Sequence, residues 1–104
     1  MIEQVNHPAH YQNNGKECID LMVEKYGLRA TINFCILSAF KYIFRCGKKE
    51  GNPDYQELNK AEWYLHWAET HNIFNVKISI NILELQNKIN NLRRDIEANG
   101  ANSQ

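Results

Sequence analysis

The feature that most constrains the fold is a nearly unbroken apolar stretch in the first half of the chain. Residues 32–44, INFCILSAFKYIF, are apolar around almost the whole circumference of a helix. Such a segment is typical of the most buried helix in a small bundle. We therefore predict a helix from about Arg29 or Thr31 to Cys46, with Gly47 ending it.

Two further helices are predicted on either side of this segment. One runs from near Lys16 to Gly27, a glycine well placed to cap its C-terminus. The other begins with Asn52 as the N-cap and Pro53 at the first helical position. It should pack antiparallel to its predecessor, because the connection between them is short. Residues 71–77 fit a short strand or a helix break, and we favour the break because a lone strand would lack a pairing partner.

The C-terminal segment carries a heptad pattern. Its apolar residues are spaced 4, 3, 4, 3, 4, and they are Ile78, Ile82, Leu85, Ile89, Leu92 and Ile96. Isoleucine at the a positions with leucine at the d positions favours a parallel two-stranded coiled coil. The same seam could lie on the helical core of its own chain. We favour self-association, which predicts a homo-oligomer.

These elements give an all-α fold, a small helical bundle of three core helices plus a C-terminal coiled-coil-like helix. The chain has 104 residues, of which 43% are hydrophobic, enough for one modest core. We divide it into an N-terminal arm (1–15), a helical core domain (16–70), an oligomerisation helix (71–98) and a disordered tail (99–104).

Composition excludes several classes of function. The twelve basic and twelve acidic residues give a formal net charge of zero. The overall charge therefore does not favour nucleic acid or a membrane surface as a partner. No apolar run approaches the roughly 18 residues of a membrane span, and the N-terminus lacks the pattern of a signal peptide. Three cysteines without CxxC spacing favour a reducing compartment. We expect a soluble, cytoplasmic protein.

A local cationic stripe is the main candidate binding feature. Residues 41–49 hold four bases and no acid, namely Lys41, Arg45, Lys48 and Lys49. The first three are spaced i, i+4, i+7 and would share one helical face. They are predicted to bind phosphate oxygens, with Arg45 in bidentate geometry. The alternative is that cations near a helix C-terminus interact with its dipole and need no ligand.

The N-terminal arm adds polar and aromatic candidates. His7 and His10 are candidate catalytic groups that could transfer protons near neutral pH, and Asn6 joins the predicted phosphate-binding set. The candidates for stacking on a base are Tyr11, Tyr42 and Trp63. Aromatic residues at helical spacing also commonly belong to a core.

Metal and nucleophilic chemistry have weaker support. Glu17 and Asp20 share a helical edge that could hold a divalent cation such as Mg²⁺, or could be a solvated edge favoured by the helix dipole. A zinc site from His7, His10, Cys18 and Cys46 matches no closed structural motif. A Cys46 nucleophile would need a neighbouring base. The chain lacks GxxxxGK[ST], GxGxxG and GxSxG, so the usual phosphate loops and nucleophile elbows are absent.

Four blocks in a fixed order resemble a known family. They are VNHPAHY (5–11), ECID (17–20), AFKYIFRCGKK (39–49) and LNKAEWYL (58–65). Together they resemble small phage-encoded domains that are labelled as of unknown function or as nucleotide-kinase-like. The best-known activity there is phosphoryl transfer to deoxynucleoside monophosphates by a protein without a standard phosphate loop. This chain departs from the family at 38–40, where Ser-Ala-Phe replaces a Gly-Asn-Ala type run.

The resemblance implies a phage nucleotide-binding protein in the cytoplasm of an infected bacterial host. It would be an enzyme if it transfers phosphoryl groups to deoxynucleoside monophosphates. The alternative is a non-catalytic binder that sequesters a nucleotide or a cyclic-nucleotide signal, or that binds a host protein. A helical scaffold without a small ligand is the third interpretation.

Overall fold

The computed structural model describes residues 17–48, 54–73 and 75–102, with side chains described as far as residue 99. Four helices follow one another: α1 (Cys18–Tyr26), α2 (Leu28–Arg45), α3 (Asp54–His71) and α4 (Val76–Asn102). The described residues contain no strand. The predicted all-α fold is confirmed.

Two glycines with positive φ join the first three helices. Gly27 has a φ of 95° and separates α1 from α2, and its carbonyl accepts a hydrogen bond of 2.9 Å from the Thr31 hydroxyl. Gly47 has a φ of 78°, and its N–H donates to Asp54 Oδ1 at 2.8 Å. Residues that carry a side chain rarely adopt a positive φ, so glycine suits both positions. The predicted cap at Asn52 and Pro53 lies outside the described residues.

α2 and α3 pack together as an antiparallel pair, as predicted, and bury most of the core. The buried apolar residues are Ile32, Cys35, Ile36, Ala39 and Ile43 on α2, and Leu58, Ala61, Leu65 and Ala68 on α3. α1 contributes no fully buried residue, although Ile19 packs against this core. The last turn of α2 and the first turns of α3 therefore meet at one end of the molecule.

The break before α4 is built from asparagines. Asn75 Oδ1 accepts the Ile78 N–H at 3.0 Å, and Asn72 Nδ2 donates to Ser79 Oγ at 2.9 Å. An asparagine in this position satisfies one of the free N–H groups at a helix start. The predicted break followed by another helix is confirmed, and α4 extends to Asn102, past the predicted end at 98.

The heptad seam of α4 packs within its own chain. Ile78, Ile82, Leu85 and Ile89 are buried in the common core, and Leu92 and Ile96 pack against it. The assignment of 71–98 as an oligomerisation helix through this seam is therefore corrected. The physical reason is that α2 and α3 alone leave an apolar surface, which α4 covers.

α2 is less buried than its sequence suggests. Seven of its residues are buried, but Phe34, Leu37, Phe40 and Phe44 are exposed on the opposite side. Only one face of α2 packs against α3 and α4. The neighbouring helix α1 is only nine residues long. Among the described residues, no helix has the length and apolar character to cross a membrane.

Candidate functional site

Three basic side chains surround the ring of Tyr42. Lys41 Nζ lies 4.6 Å from the ring centroid, Lys60 Nζ lies 5.4 Å from it, and Arg45 Cζ lies 5.7 Å from it. Cations at such distances are attracted by the ring quadrupole. We call Lys41, Tyr42, Arg45, Glu57 and Lys60 the Tyr42 cluster.

The antiparallel pair of helices positions this cluster. The last turns of α2 carry Lys41, Tyr42 and Arg45, and the first turns of α3 carry Glu57 and Lys60. One turn further along α3, the Tyr64 ring stacks on the Tyr42 ring at 5.9 Å with an interplanar angle of 12°. Phe34 meets Tyr64 edge-on at 5.8 Å.

Glu57 lies beneath the cations. Its side chain is only 1% exposed, with Lys60 Nζ 3.8 Å from Oε1 and Arg45 Nε 4.0 Å from Oε2. A carboxylate removed from water requires such compensating charges. Because Glu57 balances one charge of three, the five residues of the Tyr42 cluster together carry an excess of two positive charges.

The predicted phosphate-binding residues separate into three groups. Lys41 and Arg45 belong to the Tyr42 cluster. Lys48 Nζ instead donates a hydrogen bond to the Phe44 carbonyl at 2.9 Å and lies 4.6 Å from the centroid of the Phe44 ring. Lys48 therefore caps the C-terminus of α2, which agrees with the interpretation that this cation interacts with the helix dipole. The remaining candidates Lys49 and Asn6 lie outside the described residues, as do His7, His10 and Tyr11.

The two described base-stacking candidates lie in different surroundings. Tyr42 is covered on one side by Tyr64. Trp63 meets Tyr64 edge-on at 5.2 Å and lines an open groove of about 1130 Å³ between α3 and α4. Both rings contact Tyr64.

The candidate metal ligands cap a helix. Asp20 Oδ2 accepts the backbone N–H of Glu17 at 3.1 Å, which supports the helix-terminus interpretation of these acids. Among residues 17–48, 54–73 and 75–102, no three His, Cys, Asp or Glu side chains are grouped so that they could hold a metal ion. The histidines of the predicted zinc set lie outside those ranges.

The thiols of Cys35 and Cys46 do not have the character of a nucleophile. Burial raises the pKa of Cys46, the carboxylates of Asp54 and Glu57 raise it further, and Lys48 opposes them. Burial also raises the pKa of Cys35, to about 12. Both shifts disfavour the reactive thiolate near neutral pH.

Sequence reasoning missed the buried acid of the site. In the sequence Glu57 lies in the segment that follows the cationic stripe, yet its side chain lies inside the cluster. The available signal was its position: it precedes the core residue Leu58 and lies three residues before Lys60, on the edge of the buried face of α3.

A family model matches the larger part of the chain. The model described as protein of unknown function, DUF3310, matches residues 5–66, a span that includes α1, α2 and the part of α3 that carries the Tyr42 cluster. That description names no activity. The comparisons with curated proteins and with solved structures found no match.

Proposed function

The chain belongs to the DUF3310 family of proteins of unknown function, and on that premise we propose that its Tyr42 cluster binds the phosphate end of a nucleotide or of another phosphate-bearing small molecule. One observation carries the proposal. Three cations from two helices converge on a single aromatic ring, and among the described residues one buried carboxylate, that of Glu57, contacts two of them.

The charge of the cluster suits a phosphate monoester. Such a group carries about −1.5 to −2 charges at pH 7 and three acceptor oxygens. Lys41 is exposed and Arg45 is half-buried, so both can present donors to a ligand at the surface. A guanidinium can bind two phosphate oxygens at once. Glu57 would hold Arg45 in place from below.

Phosphoryl transfer to deoxynucleoside monophosphates is the finer form of the proposal. Such transfer depends chiefly on positioning and on stabilisation of negative charge, which Lys41 and Arg45 can supply. His7 or His10 would handle the proton. The alternative is a binder that sequesters a nucleotide or a cyclic-nucleotide signal, which needs the same cations and no aligned nucleophile.

Lys41→Gln is the sharpest test of binding, because Lys41 makes no ion pair with Glu57 in the structure. We expect calorimetric titration with deoxynucleoside monophosphates to show at least ~10-fold weaker binding, since a hydrogen bond to a charged group contributes about 1.5–3 kcal/mol. Lys88→Gln, at an exposed lysine on α4, is the matched control and should leave affinity unchanged. Equal affinities of both variants and the wild type would remove the cluster from the site.

Chromatography separates the enzyme from the binder. The purified protein is incubated with a deoxynucleoside monophosphate and a nucleoside triphosphate. New diphosphate that disappears in Lys41→Gln supports phosphoryl transfer. Tight binding with both nucleotides unchanged supports sequestration.

A further inference from the structure

The groove between α3 and α4 shares no lining residue with the Tyr42 cluster. Its volume is about 1130 Å³, and its lining includes the buried side chains of Leu65 and Ile82. Ligand sites in proteins are concave, often lie between the helices of a bundle, and have volumes of about 300–1,000 Å³. The groove therefore has room for a small organic molecule.

The charges of the lining favour a cation over an anion. The described residues that line the groove include two carboxylates, Glu62 and Glu69, and neither a lysine nor an arginine. Glu62 is already held by two hydrogen bonds from Arg93. Glu69 is exposed, and no described residue forms an ion pair with it. Glu69 is therefore the carboxylate that a cationic ligand can approach.

The C-terminal end of α3 adds a second group that suits an ammonium ion. Asn72 lines the groove just after α3 ends, and its backbone N–H donates to the Glu69 carbonyl at 3.4 Å. Its side-chain nitrogen donates to the Asn75 carbonyl at 3.2 Å and to Ser79 Oγ at 2.9 Å. Both amide N–H donors are thereby used, which leaves Oδ1 of Asn72 to accept from a ligand. A helix C-terminus also attracts positive charge.

Trp63 supplies a flat apolar wall for the body of such a ligand. Its ring is half-buried and meets Tyr64 edge-on at 5.2 Å, while Leu83, which is 60% exposed, lines the groove from α4. Trp63 and Glu69 are six residues apart on one helix, which is about 9 Å along the helix axis. A molecule that contacts both needs its positive charge within about this distance of its apolar end.

We propose that the groove between α3 and α4 binds a small organic ammonium compound, with the ammonium group at Glu69 and Asn72 and a flat apolar body against Trp63. An ammonium group has three N–H donors, so it can reach the Glu69 carboxylate and Asn72 Oδ1 at once. An anion of the same shape would meet the Glu69 carboxylate with like charge and is disfavoured. The proposal does not rest on the phosphate site at the Tyr42 cluster.

Three probes of nearly equal size test the preference for a cation. Calorimetric titration of the full chain at neutral pH compares phenethylamine, phenethyl alcohol and hydrocinnamate, which carry a positive charge, no charge and a negative charge on the same phenylethyl body. We expect phenethylamine to bind at least ~10-fold more tightly than phenethyl alcohol, because its hydrogen bonds to Glu69 are charge-assisted. Hydrocinnamate should bind most weakly. No measurable binding of phenethylamine, or equal affinity for all three probes, overturns the proposal.

Glu69→Gln tests where the ammonium group binds. Its affinity for phenethylamine should fall at least ~10-fold, because the charge-assisted hydrogen bond is lost. Glu84→Gln is the matched control at an exposed glutamate of α4 that does not line the groove, and it should bind like the wild type. Circular dichroism of both variants checks that the fold is kept. Unchanged affinity in Glu69→Gln, or an equal loss in both variants, counts against the proposal.

The indole N–H signals of the two tryptophans test where the apolar body lies. In heteronuclear NMR of the nitrogen-labelled protein, phenethylamine should shift the Trp63 signal more than that of Trp67, which stacks on His71 and does not line the groove. Trp63→Phe assigns the two signals. Lys41→Gln should keep the shift and the affinity, which separates this groove from the Tyr42 cluster. A shift confined to Trp67, or a loss of binding in Lys41→Gln, overturns the assignment to the groove.

Discussion

At the scale of single residues, Glu57 does most to shape the candidate site. Its side chain is almost completely buried, yet Lys60 and Arg45 approach its two oxygens from the surface. The same two cations lie near the face of Tyr42. A buried carboxylate thus keeps positively charged side chains at a surface that could receive an anion.

Removing both cations should destabilise the fold through Glu57. We expect the Arg45→Gln/Lys60→Gln variant to lose about 3 kcal/mol of the free energy of unfolding, because it leaves a buried carboxylate without these charges. Adding Glu57→Gln should recover a large part of this loss, since no buried charge then remains. Urea unfolding of the wild type, the double variant and the triple variant measures both steps. A triple variant as unstable as the double one would contradict this role for Glu57.

At the scale of elements, α4 completes the core. The matched family span ends at residue 66, before α4 begins, yet the seam of α4 supplies four buried side chains. Without them the apolar faces of α2 and α3 would remain partly uncovered. The folding unit therefore extends beyond the span that the family model recognises.

Ile89→Ala should reveal the intramolecular role of the seam. Ile89 is fully buried, and truncating such a side chain costs about 2–5 kcal/mol. The matched variant Ile80→Ala, at a half-exposed isoleucine of the same helix, should change stability by less than about 0.5 kcal/mol. Both unfolding midpoints should be independent of protein concentration over a dilution series. A concentration dependence there would assign the seam to a coiled coil between chains.

At the scale of the whole molecule, a polar clamp ties α4 to the body of the bundle. Arg93 Nη1 donates to Glu62 Oε2 at 2.8 Å, and Nη2 donates to Glu62 Oε1 at 3.0 Å. The Nη2 atom also donates to Asn59 Oδ1 at 3.0 Å. A bidentate pair of this kind fixes orientation as well as distance, so it sets how α4 lies along α3.

The clamp should make stability depend on pH. The hydrogen bond from Arg93 is the main cause that lowers the pKa of Glu62 below its ordinary value of 4.5. Because the folded pKa is the lower one, the stabilisation is fully present above 4.5 and is lost as the pH falls through the folded pKa. Glu62 is partly exposed, so we expect at most about 1 kcal/mol.

Urea unfolding of Glu62→Gln beside the wild type checks this dependence. The wild type should be more stable near pH 7, and the difference should shrink as the pH falls below 4.5 and through the lowered pKa of Glu62. Glu84→Gln, at an exposed glutamate of α4, is the control and should show no such trend. A constant difference at all pH values would exclude the charge of Glu62 as its source.

The sequence by itself determined the helices and their breaks. Gly27, Gly47 and the polar stretch around Asn72 interrupt the chain where the structure does, and the spacing from Ile78 to Ile89 marks the residues that α4 buries. These features depend on local backbone preference and on the helical period, which are properties of neighbouring residues.

Only the tertiary structure decided what each face meets. The heptad seam predicted contact with a second chain, but it packs into the core of its own chain with α2 and α3. Lys48 binds the carbonyl of Phe44 at the end of α2. Glu57 lies beneath Arg45 and Lys60. Periodicity tells which side chains share a face of a helix. The partner of that face depends on contacts between residues distant in the chain, where apolar surfaces compete for the same neighbours.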